Sequence, residues 1–129
     1  MIMNDLCNLL QSLAPWIDEV YPNSLDPEKL DVTDETDALV VENNRTLDAY
    51  GNDTFNELKP SFNVTVFYSK DITVERLGGS ADKAEVVLWQ ALNDHGWYVS
   101  GIQHYHDPDT DQPIVAFVVT KNINVNELT

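Results

Sequence analysis

Apolar residues recur along the chain with two periods. Ile2, Leu6, Leu9, Leu10 and Leu13 share one face of a helix. Asn4 or Asp5 can cap its start, and Pro15 forces its end near Ala14. A second stripe, Ala84, Val87, Leu88, Ala91 and Leu92, follows the break at Gly78 and Gly79. Ser80 stands where an N-cap accepts from exposed backbone donors, and Gly96 where a left-handed C-cap belongs. The spacing predicts a helix over 81–95. Elsewhere the period is two. Phe62, Val64, Val66 and Tyr68 alternate with Asn63, Thr65, Phe67 and Ser69, which predicts a strand with one buried face. ALVVE at 38–42 reads as a short strand, and 97–106 and 114–121 as two more. The last two flank DPDTDQP, rich in turn formers, so they should form an antiparallel hairpin. Residues 16–21 carry a mixed pattern, compatible with a short extended piece.

The intervening stretches are polar. Residues 22–37, PNSLDPEKLDVTDETD, read as a solvated loop. Residues 43–60 read as a second long polar loop, in which Tyr50 and Phe55 are isolated large apolar groups. A connection of that length in a small domain is usually functional or ordered by a partner. Residues 122–129 read as a frayed tail. Helices at separated positions must share a sheet face to make a core. The expected fold is therefore α+β: a mostly antiparallel sheet of four to five strands with two helices packed on one face. One domain spans 1–129, a length that buries roughly two thirds of the unfolded surface.

Charge narrows the function. The chain holds 22 acidic and 7 basic side chains, a formal net charge of -15. Such self-repulsion disfavours binding to nucleic acid or an anionic membrane. It remains compatible with a surface past which DNA slides without adhering. The lone cysteine, Cys7, lies among Leu6, Leu9 and Leu10 and reads as a small buried hydrophobe. The N-terminal MIMNDLCNLL lacks the basic residues of a secretory leader, and no apolar run approaches the ~20 residues of a membrane span.

The stretch with most chemical interest is HYHDPDTDQP, residues 104–113. His104 and His106 should point to the same sheet face, and such a pair can supply two ligands to zinc. With Asp107 as a third, a small metal-dependent hydrolase is one reading. The strand-end position beside a polar turn instead favours solvent-facing histidines. Asp107, Asp109 and Asp111 imitate the start of a calcium loop. Counted from Asp107, however, Gln112 and Val118 stand where that loop needs Gly and Glu. Aspartates that bond their own following amides explain the composition without an ion. The chain contains no G-x-x-x-x-G-K-[ST] phosphate loop and no G-x-S-x-G elbow. Trp89 and Trp97 read as core residues. The expectation is a non-enzyme with no metal and no cofactor.

WIDEVYPNSL, AYGNDTFNE, VTVFYSKD and NDHGWYVSGIQHYHDPDTDQPIVAFVVTK carry a resemblance. Over residues 1 to about 121 the chain resembles a family of small structural proteins of long-tailed (siphovirus) phages of Gram-positive bacteria, of the tail-terminator or head–tail joining type. The resemblance implies an antiparallel sheet flanked by helices. It also implies a virion structural protein that caps the tail tube as a hexameric ring and joins it to the head connector. The partners implied are copies of itself, the major tail-tube protein and a head-connector or neck protein. DNA would pass through without specific binding, and no membrane is involved. The location would be the tail or neck of the virion, and the host cytoplasm during assembly. No catalytic residues carry over. Tyr50, Phe55, Asp107, Asp109 and Asp111 are the candidate subunit-interface residues, because exposed aromatics anchor interfaces and the hairpin tip can meet a neighbour. Alternatives are a head-completion or stopper protein of the same neck, and a soluble acidic binding module that mimics the charge of DNA.

Overall fold

A computed structural model describes residues 2–24, 34–48 and 57–124. Helix α1 (Ile2–Leu13) is followed by strands β1 (Glu19–Pro22), β2 (Asp37–Asp48) and β3 (Glu57–Phe67). The short helix α2 (Val74–Leu77) precedes helix α3 (Ala81–Asp94) and strands β4 (Trp97–His106), β5 (Pro113–Lys121) and β6 (Ile123–Asn124). The strands form one six-stranded sheet in the order β1-β2-β3-β5-β4, with β6 also on β3.

The α+β class is as expected, but the sheet is larger and it is mixed. β1 runs parallel to β2, whereas every other pairing is antiparallel. Strand direction is set by the path of the connection, and a parallel pair needs a long crossover. The acidic segment before β2 is long enough to provide one. Both ends of the expected 22–37 loop are strand residues, Pro22 and Asp37. The expected 43–60 loop is corrected more strongly. Residues 43–48 and 57–60 extend β2 and β3 as a two-stranded arm, paired from Asn44↔Ser61 to Asp48↔Glu57. Their polarity misled because β-pairing satisfies the backbone whatever the side chains, and only Leu58 and Pro60 of 57–60 turn inward. The tail reading changes too. Ile123 of β6 pairs with Leu58 and is buried.

Both long helices cover the same sheet face. Ala38 and Val40 of β2, Phe62, Val64 and Val66 of β3, and Val115, Phe117 and Val119 of β5 meet Leu6 and Leu10 of α1 and Leu88 and Leu92 of α3 in one cluster. The register confirms the shared face, with Ala38↔Val66↔Val115 and Val40↔Val64↔Phe117 aligned across three strands. Cys7, Trp97 and Trp16 join this core. Trp97 meets Phe62 edge-on at 5.8 Å, and Trp89 meets Phe117 edge-on at 5.9 Å.

The ends of α3 follow the expected chemistry. The Ser80 side chain accepts from Lys83 N, and Gly96 has φ +87°. The buried stripe, however, is rotated from the expected one. Val87 is 51% exposed, and Glu85 lies inside at 3%. At ~100° per residue, Glu85 lies nearer the middle of the arc marked by Ala81, Ala84, Leu88 and Leu92 than Val87 does. Trp89, packed on Phe117, pulls the helix further in that direction. α2 was not expected. Thr73 caps it by accepting from Arg76 N, and Gly78 closes it at φ +79°. Arg76 then ties α2 to the chain after α1, donating from Nη2 to Asp18 Oδ1 at 2.5 Å and from Nε to Trp16 O at 3.3 Å.

Candidate functional site

Two features stand out: a pocket between α3 and the β4–β5 hairpin, and the sheet face that none of the described helices covers.

The pocket is made possible by a bulge. In β4, Ser100 pairs with Val118 and Gln103 with Ala116, so Gly101 and Ile102 together oppose one residue. Gly101 has φ +61°, the left-handed conformation that such a bulge places on glycine. An extra residue inverts the alternation of the strand. Before the bulge, Val99 pairs with Val119 on the core face. After it, His104 pairs with Val115 on that same face. Without the bulge His104 would point away from the helices.

Turned inward, His104 meets Glu85. His104 Nε2 lies 2.8 Å from Glu85 Oε1, and Tyr68 Oη donates to Glu85 Oε2 at 2.5 Å. The imidazole nitrogen facing a carboxylate oxygen is the protonated one. Tyr68 is itself fixed by stacking on Trp16, with centroids 5.7 Å apart and planes at 12°. Burial pushes the Tyr68 hydroxyl well above its ordinary pKa, and the hydrogen bond and charge of Glu85 push it the same way. A buried carboxylate needs donors on both oxygens, and these two residues supply them. Beside this chain of bonds opens a cavity of about 340 Å³. Ile72, Leu77, Ala81 and Ile114 make most of its wall apolar, and its polar groups are Asp82, His104, His106 and the buried Glu85.

His104 and His106 occupy like positions in the register, as expected from the period of two. Yet His104 does not simply face solvent. Although its side chain is 57% exposed, it is held by a buried acid. The Asp107 carboxylate points elsewhere, with Oδ1 accepting from Asp109 N at 2.8 Å and Thr110 N at 3.2 Å. The hairpin turn closes through Asp107 N to Gln112 O at 2.9 Å and Asp111 N to Asp107 O at 2.8 Å, and Asp111 adopts φ +61°. Among the described residues no three His, Cys, Asp or Glu side chains converge as a metal site. Of the candidate interface residues, Asp107 and Asp111 shape the turn and Asp109 is exposed on it. Tyr50 and Phe55 lie outside the described residues. Glu85 and Tyr68 were missed as site residues. The available signal was an acid placed three residues before Leu88, on an otherwise apolar stripe.

The uncovered sheet face carries Leu39 and Val41 of β2, Thr65 and Phe67 of β3, and Ala116 and Val118 of β5, all half-buried. It runs out to β4, an edge strand that is exposed over most of its length. Tyr98, Ile102 and Tyr105 of β4 are 59%, 44% and 46% exposed. Among the described residues, no helix is long and apolar enough to cross a membrane.

The fold and these two features define a small α+β protein with a sheet covered by described helices on one side, a long edge strand and a mostly apolar pocket that holds two acids. The family model described as "Protein of unknown function (DUF806)" matches residues 3–124, so the chain belongs to that family. No curated protein matches the chain at a significant level.

Proposed function

We propose that the protein is a ring-forming structural protein of a phage tail, a tail terminator that caps the tail tube and joins it to the head connector. The observation that carries this reading is the sheet face that none of the described helices covers, together with the β4 edge that pairs with no other described strand. A long edge strand bearing Tyr98, Ile102 and Tyr105 is a surface that a monomer normally protects. A subunit of a closed ring needs two different contact surfaces. The β4 edge with its adjoining face supplies one, and the β2–β3 arm supplies the other. The resemblance of the hairpin and helix-end segments to long-tailed phage proteins points the same way. The net charge of -15 suits a ring through which DNA passes, since like charge keeps phosphates from adhering. On this reading the protein acts by shape and catalyses nothing.

The test has two parts. Light scattering after size exclusion should give a mass several times 14.6 kDa, the mass of one chain, either alone or after addition of purified tail tubes. Ile102→Glu should abolish that assembly while leaving the thermal melt within a few degrees of the parent. A monomer at every concentration that also fails to cap tubes refutes the proposal.

A further inference from the structure

We infer that the cavity between α3 and the β4–β5 hairpin is a socket for the arginine or lysine side chain of a partner protein. Its volume of about 340 Å³ is at the small end for a ligand pocket, where roughly 300–1,000 Å³ is usual. It fits one long side chain better than a cofactor. Its chemistry is divided. Ile72, Leu77 and Ala81 offer an apolar wall that suits a methylene stem. Its polar groups are the exposed Asp82, the buried Glu85 one turn further along α3, and His104 and His106 of β4. An anionic group would be repelled there, and a purely apolar one would leave the exposed Asp82 carboxylate facing it.

Glu85 is built for this exchange. One oxygen is held by the buried Tyr68 hydroxyl, which is fixed by Trp16. The other is held by His104, whose side chain is 57% exposed and rests on a bulged edge strand. An incoming guanidinium or ammonium replaces the imidazole on Oε1 with a charge-assisted bond, and Asp82 meets its remaining donors. A chain with 22 acidic against 7 basic residues draws basic partners by its overall field as well. The socket stands apart from the ring reading, because it requires only a partner with an exposed basic residue.

The test is an NMR titration of ¹⁵N-labelled protein with N-acetyl-arginine methylamide. Norleucine and citrulline methylamides serve as apolar and neutral polar controls. Saturable shifts at the amides of Ala81, Asp82, Glu85 and His104 are expected, with affinity on the order of millimolar. Arginine should bind at least fivefold more tightly than either control. Glu85→Gln should remove that preference. Asp82→Asn, at an exposed position, should reduce it at least twofold, and Glu75→Gln on α2 should leave it unchanged. His104→Ala should tighten binding by vacating Oε1. Equal binding of norleucine, the absence of saturable shifts, or a weaker complex in His104→Ala overturns the inference. Spermidine binding tenfold more tightly than the arginine probe overturns the assignment to a protein side chain.

Discussion

Replacing Tyr68 by Phe isolates one hydrogen bond. The ring is 4% exposed and stacks on Trp16, and Phe preserves both the volume and the stack. Only the hydroxyl is lost, and with it the 2.5 Å bond to Glu85 Oε2. Glu85 is 3% exposed, so its Oε2 loses a partner in a place mostly shielded from bulk solvent. Hydrogen bonds to charged groups contribute roughly 1.5–3 kcal/mol. A loss of about 2 kcal/mol is expected. With an unfolding entropy of about 2.1 cal/mol/K per residue over 129 residues, that lowers Tm by about 7 °C. Urea unfolding at neutral pH, repeated in a Glu85→Leu background, gives the coupling. In that background Tyr68→Phe should cost less than about 0.5 kcal/mol, because the buried charge is gone. A cost below about 0.5 kcal/mol in the parent, or equal costs in both backgrounds, refutes the role assigned to the bond.

Ser80→Ala removes the side chain that accepts from Lys83 N and should cost about 1 kcal/mol by denaturant midpoint; Ser80→Asp should restore most of it. Gly101→Ala forces a left-handed residue at φ +61°. Its Cβ would meet Val118 Cγ2 at an ordinary 3.6 Å, so the cost is backbone strain alone, roughly 1–2 kcal/mol in the same assay. Burial raises the Cys7 thiol above its ordinary value near 9.0, so a thiol reagent at pH 8 should label it only as fast as the chain unfolds. The raised Tyr68 pKa carries a sign. The unfolded phenol ionises near pH 10 and the folded one only above that, so this stabilisation is complete below pH 10 and declines as pH rises further. Tyr68→Phe should therefore unfold with a flatter pH profile above pH 10 than the parent.

The local pattern of the chain was enough to place most elements. The α1 stripe, the Ser80 and Gly96 boundaries of α3, the alternation of β3 and the β4–β5 hairpin depend on near neighbours, and near neighbours are what a sequence displays. The inward direction of β3 was equally legible, since Phe62, Val64 and Val66 admit one face only. What lay beyond local pattern needed a partner element to decide it. The parallel course of β1 is set by its pairing with β2, which the four residues of the strand do not fix. The β2–β3 arm is polar and becomes strand only because its two sides pair with each other and with β6. Tertiary packing also chose Glu85 over Val87 for the interior, by seating Trp89 on Phe117. The bulge at Gly101 then set His104 opposite Glu85. That pairing joins residues far apart in the chain through a one-residue change of alternation. No stretch of sequence fixes such a change until the neighbouring strand is in place.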